Sequence, residues 1–163
     1  MNSCQCYAFE ILLHPLGVEP DSVSQPSALY TDAWGSWPTL TVSRQRLSEP
    51  MAIGFDEASA RLARLKRMFF EPDGSFVWTG QHNELAWQVD GNAYEFKGRV
   101  FWVALKGSCP ITEFDQLLAG FGWPEETPMM QLLRPAVFLD EVTFRRHAAR
   151  RGATGDGEIL RPR

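Results

Sequence analysis

The most constraining feature of the chain is the stretch from Met68 to Leu105, in which aromatic and β-branched runs alternate with turn residues. Met68-Phe69-Phe70 and Phe76-Val77-Trp78 flank Pro72-Asp73-Gly74, where proline presets φ for the first turn position and glycine closes a three-residue hairpin. Asp90-Gly91 and Lys97-Gly98 then separate Leu85 to Val89, Ala93 to Phe96 and Arg99 to Leu105. Short runs joined by tight turns make an antiparallel meander, here of about five strands. In the last run Phe101, Val103 and Leu105 share one face, and Val100, Trp102, Ala104 and Lys106 the other. Both faces are largely apolar, which predicts a central strand covered on both sides.

Helical periodicity brackets this meander. Asp56 reads as an N-cap, with Glu57 in the first turn and Ala58, Leu62 and Leu65 at helical spacing. After Gly107-Ser108-Cys109, Pro110 stands where a missing N–H costs a helix nothing, and Phe114, Leu117, Leu118 and Phe121 form an i, i+3, i+4, i+7 stripe that Gly122 and Pro124 stop. That stripe should lie on the meander. Met130 to Leu133 reads as a strand, and Asp140 caps a basic helix to about Arg151, ended by Gly152. The expected fold class is therefore α+β, an antiparallel meander of about five strands with a helix packed on one face.

The first third is harder to read. Tyr7 to Leu13 has strand-forming residues, but Pro15, Pro20, Pro26, Pro38 and Pro50 punctuate the chain beyond it, so residues 15 to 50 are expected to be mostly loop with a short strand at Thr39 to Ser43. The expected organisation is a poorly patterned extension over 1–53, one α+β domain over 54–151 and a disordered basic tail over 152–163. On that reading a chain starting near Gly54 folds by itself. The competing outcome is that Tyr7 to Leu13 adds a strand, and that Trp34 and Trp37 cover apolar surface.

Glu71-Pro72-Asp73-Gly74-Ser75-Phe76-Val77-Trp78, Trp87-Gln88-Val89-Asp90-Gly91, Leu105-Lys106-Gly107, Phe121-Gly122-Trp123-Pro124-Glu125 and Val137-Phe138-Leu139-Asp140-Glu141 resemble a family of uncharacterised proteins from planctomycete bacteria. The resemblance covers about Leu62 to His147. It carries no known activity, and implies only a domain that starts late.

Charge and cysteine usage narrow the function classes. A net charge of −4 gives no global footprint for nucleic acid or anionic membrane. The start lacks a basic signal region, and the longest later apolar run, Val100 to Leu105, is far too short for a membrane helix. Three cysteines make no disulfide framework, so a reducing, cytoplasmic setting is expected.

Three chemical patterns compete with bland explanations. Cys4, Cys6, His14 and Cys109 are ligand types suited to zinc, but lack the paired spacing of structural sites. Pro72-Asp73 with Glu95-x-Lys97 matches the PD-(D/E)xK pattern of metal-dependent nucleases, in which Asp73 and Glu95 would hold the metal and Lys97 the water; turn chemistry explains the same residues. Arg145, Arg146, Arg150, Arg151, Arg161 and Arg163 could meet phosphates, or be a solvated helix end and tail. His82 and His147 have no nucleophile near them in sequence. The aromatic set is first of all core, and any side of the sheet left open should expose Trp102 with Lys106 as a binding surface. The expected function is a non-enzymatic protein-interaction or small-ligand-binding domain, bacterial and cytoplasmic, with no cofactor or metal. The nuclease and weak nucleic-acid binding through the arginines are the alternatives. The partner is unknown, with a protein as the candidate; nucleic acid is not expected, and no membrane.

Overall fold

The computed structural model describes residues 5–17 and 23–154. Among them the Pro72-Asp73-Gly74 turn does what its chemistry dictates: Glu71 N–H donates to the Ser75 carbonyl and Gly74 N–H to the Glu71 carbonyl, joining β4 (Met68–Phe70) to β5 (Ser75–His82). A second turn at Asn83-Glu84 leads into β6 (Leu85–Phe96), and Lys97-Gly98, both at positive φ, leads into β7 (Arg99–Pro110). The meander is thus four strands, because Asp90-Gly91 is no turn. Both residues pair within β6, Gly91 between Phe76 and Leu105. A Cβ at Gly91 would lie 2.0 Å from the Phe76 ring, so glycine is there to let an aromatic ring cross the strand.

The sheet is larger than its meander. β1 (Cys6–Pro15), β2 (Val23–Asp32), β3 (Gly35–Val42), β8 (Pro128–Leu132) and β9 (Phe138–Leu139) complete nine antiparallel strands in the order β2-β3-β9-β8-β1-β7-β6-β5-β4. The α+β class stands, with nine strands in place of about five. Residues 15 to 50 are likewise not mostly loop. They hold β2, β3 and α1 (Arg44–Leu47), and the strand expected at Thr39 to Ser43 is the end of β3. Pro38 is tolerated because β3 pairs with β9 only at Leu40, leaving the rest of that edge without a ladder to interrupt.

Three helices pack on one face. α2 (Phe55–Ala63) meets β4 and β7, α3 (Ile111–Ala119) meets β1 and β7, and α4 (Glu141–Ala153) meets β1, β3 and β8. Asp56 is not the cap of α2: the N-cap is Gly54 and Asp56 sits inside the first turn, where its charge still suits the helix dipole. Pro110 is the N-cap of α3, and Asp140 caps α4 by accepting from Thr143 N–H at 2.8 Å. Gly152 does not end α4. It lies within it, where a Cβ would sit 2.0 Å from the Cys6 carbonyl oxygen, so the helix end can press on the backbone of β1.

The core lies between these helices and the sheet. Tyr7, Phe9, Ile11 and Leu13 alternate along β1 and are all buried, and Phe114 of α3 packs its ring 5.4 Å from Tyr7, 5.3 Å from Phe9 and 5.5 Å from Phe144 of α4. Phe114, Leu117, Leu118 and Phe121 are buried as one stripe. Leu118→Ala should therefore cost about 2 to 4 kcal/mol of stability in denaturant titration; a loss below about half a kcal/mol would mean a stripe that is not packed. Because β1 precedes Gly54 and lies between β7 and β8, a chain beginning at Gly54 is expected to lose its sharp thermal transition and the near-UV dichroism of its tryptophans. Retention of both would show that the sheet closes without β1.

Candidate functional site

Register sorts the residues singled out by sequence. A β-bulge sets the faces of β7: Ala93 pairs with Val103 but Glu95 with Val100, so β7 carries one residue more than β6. Phe101 therefore shares the face of Trp102, with the two rings stacked at 5.3 Å, while Val100 joins Val103 in the core. Strict alternation placed these two the other way. Trp102 also meets Tyr94 at 5.6 Å and His14 at 5.8 Å, and His14 meets Phe138 at 5.6 Å. An aromatic row thus runs across the sheet on the face opposite α2, α3 and α4.

Lys106 is exposed on the same face, opposite Asp90 on β6 and Glu10 on β1. Phe69 pairs with Val77 in the same way at the β4 edge. Of the exposed large apolar side chains, Leu29, Phe69, Val77, Tyr94, Phe96 and Leu133 fall on this helix-free face by register and contact. Beneath them Trp102 Nε1 and Asn92 Oδ1 are buried with no hydrogen-bond partner among the described residues.

The other candidates do not assemble. Asp73 accepts from Ser75 N–H at 2.9 Å and from its hydroxyl at 2.6 Å, and these bonds hold its carboxyl below the usual range. Glu95 and Lys97 are exposed, Lys97 in its turn with its ammonium 5.2 Å from the Phe96 ring. Cys6 and His14 stand near opposite ends of β1, roughly 26 Å apart at the rise of a strand. Cys4, Arg161, Arg163 and the expected disordered tail beyond Thr154 lie outside the described residues. Arg145 is taken up structurally, 2.7 Å from Asp115 and over the Tyr7, Phe114 and Trp123 rings. Among the described residues no group of three or more metal-binding side chains gathers, and no helix is long and apolar enough to cross a membrane.

A second site was not assembled by the sequence reading. β8 pairs with only the Ile11–Pro15 half of β1, and beside the other half the β2–β3 hairpin, the β8–β9 turn and the end of α4 converge on an open cleft of about 200 Å³. At its wall His147 Nε2 lies 2.8 Å from Asp32 Oδ2, while Asp32 Oδ1 accepts from Trp34 N–H at 2.9 Å and Trp37 Nε1–H at 3.0 Å. The imidazole is boxed by Trp34 and Trp37, ring centres 5.5 and 5.1 Å away, and the Arg151 guanidinium lies 4.8 Å over Trp34. Glu10, Tyr30 and Arg134 complete the polar and aromatic lining.

Burial lowers the His147 pKa from 6.5; the Asp32 contact opposes this without cancelling it, and Arg151 adds to the lowering. Burial pushes the Asp32 carboxyl up, but its three donors outweigh that and hold it below the usual range. The pair is therefore carboxylate and neutral imidazole, with Nε2–H donated to Asp32. Its Nδ1, the remaining acceptor, is buried without a partner among the described residues. Asp32 and His147 are 115 positions apart, so spacing could not find them; Trp34 and Trp37 around Gly35 were the available hint.

No family model, no curated protein and no solved structure matches the chain.

The pH dependence has a definite sign. The folded pKa of His147 lies below its unfolded value, so the unfolded chain binds the proton more readily, and stability present above about pH 6.5 declines as pH falls from there toward the folded pKa. His14, lowered by burial and partly restored by its bond to Gln131, acts in the same direction. Thermal melts should therefore fall between about pH 7.5 and pH 5. His147→Gln should flatten part of that slope and His14→Gln another part; a slope unchanged by His147→Gln would mean that His147 is protonated equally readily folded and unfolded.

Proposed function

We propose that this chain is a non-enzymatic binding domain of the bacterial cytoplasm that docks a protein partner on the helix-free face of its sheet, around Trp102 and Lys106. The observation that carries the reading is the gathering of exposed apolar side chains there, rather than on the outer surfaces of the helices. Aromatic rings offer a partner large contact area at low entropic cost. The Asp90-Lys106-Glu10 row adds charges that fix register. Trp102 Nε1 and Asn92 Oδ1 are a donor and an acceptor that a docked partner can satisfy after a small side-chain shift.

The nuclease alternative draws less support, since the Asp73 carboxylate is engaged by its own turn and Lys97 has no rigid support. Binding of nucleic acid through the arginines loses Arg145 to the interior contacts described above.

Photo-crosslinking tests the docking face. Benzoylphenylalanine would replace Val77 or Tyr94 on the helix-free face, or Val142, which is exposed on α4. In cells expressing the protein at its native level, the first two should give the same discrete protein adduct and Val142 none. Trp102→Ala with Lys106→Glu should abolish the adduct while circular dichroism stays unchanged. Adducts from Val142 alone, or adducts indifferent to the double substitution, would remove the helix-free face as the docking surface.

A further inference from the structure

The charges on the helix-free face are arranged in a way that selects among protein partners. Register sets Phe69, Val77, Asp90, Lys106, Glu10 and Leu133 in one row across the strands on that face. The row is apolar at both ends and reads acid, lysine, acid in the middle. Lys106 is exposed, and among the described residues it makes no ion pair, so its charge is open to a carboxylate lying over the sheet. Further along β6 and β7 the Tyr94 and Trp102 rings stand side by side, 5.6 Å apart. A patch of one sign needs a partner of the opposite sign. An alternating row is complementary to itself once it is shifted by one strand.

Building on the docking face proposed above, we propose that its partner is a second copy of this chain, packed face to face about a two-fold axis that runs along the strands between β6 and β7. Such an axis sets β6 over β7, β5 over β1 and β4 over β8 of the second copy, following the strand order. Lys106 then meets Asp90 of the second copy, and Asp90 meets Lys106 of the second copy, so the ion pair forms twice. An axis through β7 itself would instead set lysine on lysine. Tyr94 comes over Trp102 of the second copy, and Phe69, 66% exposed, over its Leu133, 45% exposed, so exposed rings and apolar ends cover one another. Stacked sheets lie about 10 Å apart, within the combined reach of a lysine and an aspartate on facing strands. The face is also large enough. The six strands from β4 to β8 make a strip about 25 Å wide, and β6 and β7 pair over about 30 Å, which approaches the roughly 800 Å² that each partner of a stable complex buries.

Sedimentation equilibrium of the purified full chain tests this. Expected is a dimer with Kd below about 10 μM, as interfaces of this size give. Lys106→Asp and Asp90→Lys should each weaken it at least about tenfold, because each sets like charges together. An equimolar mixture of the two variants should recover the dimer, since aspartate and lysine again meet at both contacts between unlike copies. Val142→Glu, on the exposed side of α4, should leave the dimer unchanged. Circular dichroism checks that each variant keeps its fold. Asp90 also accepts from Gln88, so Tyr94→Arg provides a second disruption that leaves the charged row intact and should likewise give monomers. The proposal is overturned by a chain that stays monomeric up to roughly 200 μM, by a dimer indifferent to the three substitutions on the face, or by folded charge variants that stay monomeric when mixed. A monomeric chain whose Val77 position still crosslinks a different protein in cells overturns the second copy and leaves the docking face standing. A monomer with no adduct from that face overturns both.

Discussion

Everything in this molecule is hung on the pairing of β1 between β7 and β8. The strand order places four strands on either side of it, and no strand of the β4–β7 meander pairs with β8, β9 or the β2–β3 hairpin. β1 fulfils this role because its side chains divide cleanly. Tyr7, Phe9, Ile11 and Leu13 enter the core, while its backbone forms a ladder of eight register pairs with β7 and five with β8. Non-local pairing of this kind closes long loops: Tyr7 lies opposite Cys109, and His14 opposite Met129. The compensation comes from packing, since α3 and α4 both rest on β1, with Phe114 bridging Tyr7, Phe9 and Phe144.

Local chemistry was legible wherever it acts alone. The Pro72-Asp73-Gly74 and Lys97-Gly98 turns, the Phe114 stripe and the Asp140 cap are all decided within a few residues, and each was readable. The misreadings share one cause: a residue whose reason lies across the fold. Gly91 looks like a turn residue until Phe76 is placed over it, and Gly152 like a helix stop until the Cys6 carbonyl is placed beside it. The extra residue in β7 is equally silent in sequence, and it exchanged the faces of Val100 and Phe101. The shared face of Trp102 and Lys106 was read correctly. Trp102 and Lys106 do lie together on the helix-free side, because both follow the alternation that holds beyond the bulge.

The two surfaces rest on different physics. On the helix-free face the aromatic row from Phe96 through Phe101, Trp102 and His14 to Phe138 is rigid, since each ring is braced by the next and His14 also bonds Gln131 at 2.9 Å. A braced apolar surface loses little side-chain entropy on docking, which favours association by burial alone. At the cleft the arrangement is polar and electrostatic. Asp32 gathers three donors, and that network ties the tip of the β2–β3 hairpin to α4.

The cleft exists because two strands differ in length. β1 has ten residues and β8 five, so β8 leaves the edge of Cys6 to Glu10 without a strand on that side. Backbone groups along an uncovered edge are costly in an interior, and the fold answers with the C-terminal turn of α4, brought close by Gly152. A helix is wider than a strand, so it cannot follow β8 and the hairpin closely, and a gap remains where α4, β1 and the hairpin meet. Into that gap face His147 and Arg151, one turn apart on α4, and Asp32 and Trp34 from the hairpin tip. The polar site is thus a consequence of how the sheet changes partners at its central strand, in the same way that the aromatic face is a consequence of all three packing helices choosing the other side.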